Sequence, residues 1–251
     1  MIDLRRSRPT GILVGFLADA LLGDPRRRHP VAGFGWCATG LESLTYRDRR
    51  AAGSVHIALL VGGLTGAATV AQSRVRNPWA RAALTAASTW VALGGTTLAR
   101  TGSAMADLLD AGDVDVAREL LPSLCGRDPS ALDSRGLARA ALESVAENTS
   151  DAQVAPLFWA ALAGVPGVLA YRAINTLDAM IGNRSARYAR FGWAAARLDD
   201  VANYVPARVT GVLVLACAGL VGGSPARAAQ AWRRDAGRHP SPNAGIPEAT
   251  F

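Results

Sequence analysis

The 251 residues include no lysine: all 27 basic side chains are arginine, against 20 acidic ones, giving a formal charge of +7. That rules out a Walker-type phosphate lysine, a Schiff base and a lysine nucleophile. Half of the residues are hydrophobic and only 6% aromatic, which suits helices packed in lipid and a length of one large domain or two small ones; the arginines flank apolar stretches instead of alternating with aromatics, so no nucleic-acid partner is expected.

Met1 to Arg8 is basic, and the apolar run behind it holds Asp19, unlike a cleaved secretory signal. Gly11–Leu22 reads as a short helix closed by Gly23-Asp24-Pro25. The loop Arg26-Arg27-Arg28-His29-Pro30 suits phosphate or anionic lipid, or a cytoplasmic anchor. Val31–Tyr46 is predicted helical, with Glu42 on it. His56–Ala71 and Ala82–Ala99 are apolar and near the lower length for a bilayer span, about 17 residues. With Arg74, Arg76, Asn77 and Pro78 as the turn, they predict a transmembrane hairpin over 56–99, in which Gly62, Gly63 and Gly66 allow close helix contact. The bias of basic residues places 23–53 and 100–150 in the cytoplasm.

Residues 100–153 are polar in character, with helical pieces at Met105–Leu109 and Val116–Leu121 and a turn at Cys125–Pro129. Asp133 or Ser134 is the expected cap of the next helix. On it Glu143, Glu147 and Asp151 recur every fourth residue, which stacks three carboxylates on one face beside Asn148 and Thr149. Hard oxygens in that pattern suit Mg²⁺; the plainer reading is a solvated face paired to Arg135 and Arg139. Three cysteines (37, 125, 217) and three histidines (29, 56, 239) show neither zinc nor disulfide spacing.

Val154–Ala170 is apolar but interrupted by Pro156 and by Gly164-Val165-Pro166-Gly167, so a re-entrant hairpin is preferred to a straight span. The polar block 172–207 sets Arg172, Asn175 and Asp178 on one helical face and Asp199 with Asn203 on another, beside Arg184 and Arg187. Arginine next to Asp and Asn fits a phosphate with its divalent ion. Val209–Gly222 is short and able to cross. The tail His239-Pro-Ser-Pro-Asn243-Ala-Gly-Ile-Pro-Glu248 is too rich in proline for regular structure and is expected to be a lid or a disordered end.

Several stretches in one order resemble the adenosylcobinamide-phosphate synthase family of cobalamin biosynthesis. They are Asp19 with Leu-Leu-Gly-Asp-Pro, His29-Pro-Val, Glu143-Ser-Val-Ala-Glu147-Asn-Thr-Ser-Asp151, Ala155-Pro-Leu-Phe-Trp159, Tyr171-Arg-Ala-Ile-Asn175-Thr-Leu-Asp178-Ala-Met180, Phe191-Gly192, Asp199-Asp200 and His239-Pro-Ser-Pro-Asn243-Ala-Gly245. The resemblance implies an all-α, multi-pass protein of the cell membrane with a cytoplasm-facing site rich in acids and arginine. It implies ATP-dependent joining of adenosylcobyric acid to (R)-1-aminopropan-2-ol phosphate, with Mg²⁺ and ATP as cofactors, membrane lipid around the protein and other proteins of the pathway as partners.

Under that resemblance Glu147, Asp151 and Asp178 are the candidate catalytic groups. Glu143, Glu147, Asp151, Asp178 and Asp199 are the candidate metal ligands. His29, Arg172, Asn175, Arg184, Arg187, His239 and Asn243 are the candidates for substrate and phosphate. Family members continue past the tail motif with another hydrophobic segment, so an end at Phe251 is expected to be truncated or altered. A Mg²⁺-dependent transferase of a lipid diphosphate would use the same acids beside an apolar groove. An ion-carrying transporter or assembly protein would need them deep within spans.

Overall fold

The computed structural model describes residues 3–24 and 29–251; the basic loop Arg26-Arg27-Arg28 lies outside them. Among the described residues the chain is helical throughout, with no strand. The helices are α1 (Leu4–Leu22), α2 (Pro30–Thr45), α3 (Arg50–Arg74), α4 (Pro78–Ala92), α5 (Gly95–Ala111) and α6 (Val114–Leu120), then α7 (Ser134–Thr149), α8 (Ala155–Ile181), α9 (Trp193–Ala202), α10 (Tyr204–Cys217), α11 (Pro225–Asp235) and α12 (Gly245–Thr250). A π-helical turn, Ser150–Val154, joins α7 to α8. The stretches Arg50–Arg74, Ser134–Ile181 and Tyr204–Val221 are long and apolar enough to cross a membrane, and only 17% of the apolar stretch of α3 is buried. The protein is an all-α, polytopic membrane protein.

The chain divides into two compact units, Met1–Gly94 with Ala155–Asn203, and Gly95–Val154 with Tyr204–Phe251. In the first unit α1 lies along α4. Ser7, Gly11, Gly15 and Asp19 recur every fourth residue and are all buried, while Leu13, Val14, Leu17 and Leu21 on the other side are exposed. A Cβ at Gly11 would stand 2.5 Å from the Ala82 carbonyl oxygen, and one at Gly15 2.7 Å from that of Ala86. Backbone-to-backbone approach of this kind needs glycine, and the indole N–H of Trp90 on α4 closes the far end by donating to the Gly23 carbonyl at 3.0 Å.

The close approach expected of Gly62, Gly63 and Gly66 is not found: a Cβ at any of the three would meet nothing within 4 Å. Helix α3 packs instead on α8 and α9, where Gly53 admits the Phe191 carbonyl. The core beside it holds Ile57, Leu177, Ile181 and Phe191. The second apolar stretch ends earlier than the sequence pattern predicts, at Ala92, because Leu93 leaves helical geometry ahead of Gly94-Gly95.

Helix α8 breaks where its glycines and proline predict. Gly164 has φ 65° and ψ −148°, a conformation open in practice only to glycine. The break exposes backbone groups, and two side chains take them up. Arg8 Nη1 donates to the carbonyls of Ala161 (3.3 Å) and Leu162 (3.4 Å), and Gln72 Oε1 accepts the Val165 N–H at 3.0 Å. Pro156 sits in the first turn of α8, directly after the π-helical turn. Gly164→Ala is expected to cost about 1–3 kcal/mol, read as a lower melting temperature in detergent. Gly62→Ala, in open space within a helix, should leave that temperature unchanged or raise it slightly.

The second unit is built on Met105, Ala117, Leu121, Leu137, Ala140 and Ala141. Asp133 caps α7 as expected, accepting from the Gly136 N–H at 2.7 Å. The tail departs from its expectation. Ser241 and Asn243 shape a turn, and Gly245–Thr250 is a helix with Ile246, Pro247 and Thr250 buried. Its proline falls in the first helical turn, which tolerates it, and the helix packs on α7, α10 and α11.

Candidate functional site

In the first unit α8 presents Tyr171, Asn175 and Asp178 on successive turns, with Arg172 beside them, and α9 packs against it. The Tyr171 hydroxyl donates to Asn203 Oδ1 at 2.9 Å, and Asn203 Nδ2 donates to Asp199 Oδ2 at 3.0 Å. Asn175 Nδ2 donates to the other oxygen, Asp199 Oδ1, at 3.4 Å, and its own Oδ1 accepts from Arg172 Nη1 at 3.3 Å. The Trp159 indole N–H holds the end of α9 through the Ala202 carbonyl at 3.0 Å. Arg172, Asn175, Asp199 and Asn203, chosen from sequence, are thus joined in one polar chain. The carboxylate of Asp178 lies down the end of α8 against Gly182, where any Cβ would strike it.

His29 caps α2: its Nδ1 accepts the Val31 N–H at 3.2 Å, which leaves the ring proton on Nε2 when the imidazole is neutral. Burial pushes this imidazole below its ordinary value; Asp24 opposes the shift and the charge of Arg172 adds to it. The fold therefore holds fewer protons on His29 than the unfolded chain does. Its contribution to stability is present above the ordinary imidazole value and is lost as the pH falls through it. The melting temperature is expected to drop between about pH 7 and about pH 5, and to drop less in His29→Gln.

Arg184 lies in an exposed turn. Arg187 is engaged by the fold. Its guanidinium donates to Glu42 Oε1 at 2.8 Å and lies 4.2 Å over the Tyr46 ring, and Tyr188 donates to the same oxygen at 3.1 Å. The Glu42 side chain is 9% exposed and that of Arg187 56%, so the pair has one buried and one wet partner. The sequence pattern placed Glu42 only on a helix; its role as the acceptor for a distant arginine depends on tertiary contact.

In the second unit Glu143 is clamped by Arg139 Nε at 2.7 Å and Arg127 Nη2 at 2.9 Å. This is the ion-paired alternative that the helical spacing allows, with Arg139 as the i−4 partner. The π-helical turn carries Asp151, and its wider winding takes Asp151 out of the strict every-fourth-residue register with Glu143 and Glu147. Glu147 lies within electrostatic range of His239. His239 repeats the arrangement of His29: Nδ1 accepts the Ser241 N–H at 3.0 Å, and Nε2 stands 3.7 Å from Glu248 Oε1. Asn243 Oδ1 accepts from Arg208 at 3.5 Å.

A cleft of about 630 Å³ opens here, lined by Arg127, Arg139, Glu143, Arg238, His239 and Glu248 among others. Burial raises the carboxyl of Glu248 above its usual range; Glu147 and Glu143 add to this, and His239 and Arg127 oppose it. Arg127, Arg238 and Glu248 were not among the residues the sequence pointed to, and only the return of α12 onto the segment after α11 brings the last beside His239.

Among the described residues no three His, Cys, Asp or Glu side chains converge as a metal cage. Mg²⁺ does not require one: it takes one or two carboxylates and completes its shell with phosphate and water. Asp199, joined to Arg172 through Asn175, supplies one such carboxylate.

A family model described as CobD/Cbib protein matches residues 12–251. "Cobalamin biosynthesis protein CobD" of Mycobacterium tuberculosis strain H37Rv is 65% identical over 248 residues, 98% of this chain and 78% of the relative. The proteins of the same name from Pelobacter propionicus and Geobacter metallireducens are 44% and 42% identical, over 96% and 95% of this chain and 76% and 77% of their own lengths. No solved structure matches.

Proposed function

This chain belongs to the CobD/Cbib family, a family of cobalamin biosynthesis, and from that premise we propose that it is the ATP-dependent carbon–nitrogen ligase that joins adenosylcobyric acid to (R)-1-aminopropan-2-ol phosphate. The observation that carries the reading is the family match over residues 12–251, which runs through both polar sets. The chain of hydrogen bonds from Arg172 through Asn175, Asp199 and Asn203 to Tyr171 supports it, because a fixed acid beside a guanidinium is what a metal–phosphate group needs.

A carboxylate and an amine do not condense in water unaided; ATP with Mg²⁺, when bound, supplies the phosphoryl group that activates the carboxylate. Asp199 and Asp178 would hold the metal. Arg172, with the Nε2–H of His29, binds phosphate oxygens. Accepting the ammonium proton, so that the amine becomes a nucleophile, calls for one further carboxylate. Arg187 orders the α2 side of the first unit through Glu42. The substrates place the working face in the cytosol, and the host bilayer is the plasma membrane.

Full-length protein purified in detergent, given both substrates, ATP and Mg²⁺, is expected to form the amide, seen by mass spectrometry. Folded protein that makes none overturns the proposal. Glu147→Gln and Asp178→Asn should each lower turnover by at least about 10²-fold while the protein stays in the membrane; near-normal rates in both would move the site elsewhere.

A further inference from the structure

We propose that Tyr171 and Asn203 are positioning residues that hold the carboxylate of Asp199 in one orientation, a role that rests on the ligase reading above. An amide can face a neighbour with either end. Asn203 meets a phenol on one side and a carboxylate on the other, at 2.9 and 3.0 Å. The flipped amide would set its carbonyl oxygen against the carboxylate, so the acid and the phenol together admit a single arrangement. Tyr171 and Asn203 are each only 1% exposed, so water does not compete for these bonds, and low polarity strengthens them.

The Tyr171 ring is itself held among Ala155, Ala202, Trp159 and Ile174. The second oxygen of Asp199 is met by Asn175, whose orientation is dictated in the same way by Arg172. Both oxygens of the acid are therefore set by amides that cannot turn. Outer partners of this kind typically change metal affinity or activity by about 10–100-fold.

The test is Mn²⁺ binding to the purified full chain, read by the electron-paramagnetic signal of free Mn²⁺, together with the Mg²⁺ dependence of amide formation. Tyr171→Phe keeps the packed ring and removes only the hydroxyl; Asn203→Ala removes the donor to Asp199. Each is expected to weaken Mn²⁺ binding by about 10–100-fold and to raise the half-saturating Mg²⁺ by a similar factor, with wild-type kcat recovered at saturating Mg²⁺. Unchanged Mn²⁺ affinity with a lowered kcat at saturating Mg²⁺ would mark both residues as merely structural and overturn the proposal. A wild-type chain that binds no Mn²⁺ overturns it as well. If wild type binds Mn²⁺ and the variants weaken it but no amide forms, the positioning role stands and the reading of the reaction falls.

Discussion

Asp199→Asn is expected to lower amide-forming turnover by about 10³-fold, close to 4 kcal/mol of transition-state stabilisation at 1.36 kcal/mol per decade. The substitution keeps the shape of the side chain but leaves one acceptor oxygen where there were two, so either Asn175 or Asn203 loses its partner. The negative charge is lost as well, and it is the charge that binds a divalent ion and offsets developing negative charge on phosphate. The melting temperature in detergent should fall by the loss of one part-buried hydrogen bond, about 1–3 kcal/mol, while product measured by mass spectrometry nearly vanishes. A variant that turns over within a few-fold of wild type would show that the polar chain on α8 and α9 serves the fold and not the reaction.

The largest effect on stability is expected at the α1–α4 contact. Gly15→Leu has no room: even a Cβ there would stand 2.7 Å from the Ala86 carbonyl and 2.8 Å from Thr89 Cβ. A backbone carbonyl within a helix cannot swing away, so α1 must lift off α4. Overpacking in a core costs about 1–3 kcal/mol where side chains can adjust; here the obstacle is main chain, and a loss of at least about 3 kcal/mol is expected. Size-exclusion profiles in detergent and melting temperature check it. Gly62→Leu is the control, since a side chain at that position enters open space. Equal behaviour of the two variants would mean that α1 is not docked as described.

Part of this organisation was legible in the residues alone. The apolar runs, the missing lysine and the ordered motifs lead to an all-α membrane protein of a cobalamin-pathway family, and that outcome holds. The cap at Asp133 and the break at Gly164 follow from local chemistry, because an N-cap and a positive φ are decided within a few residues. The steps of three from Arg172 to Asn175 to Asp178 were likewise readable as one helical face.

Other features were legible but misplaced. Close helix contact was expected at Gly62, Gly63 and Gly66, yet the contact is made by Gly11 and Gly15, whose spacing of four is visible in the same sequence. What separates the two sets is the partner: Ala82, Thr85, Ala86 and Thr89 on α4 present small side chains to one and nothing faces the other. The proline-rich tail likewise carried a misleading composition, since a proline in a first helical turn does not interrupt a helix.

Sequence by itself determined that the chain is helical and apolar enough to enter a bilayer, and which polar residues share a helical face, because these depend on periodicities of a few residues and on side-chain chemistry. Only the tertiary structure decided that Asp199 is held between Asn175 and Asn203, that Glu42 takes Arg187, and that Glu248 stands beside His239. Asn175 and Asp199, Glu42 and Arg187, and His239 and Glu248 stand 24, 145 and 9 positions apart in the chain, and such contacts follow from how helix faces pack, which no local pattern encodes.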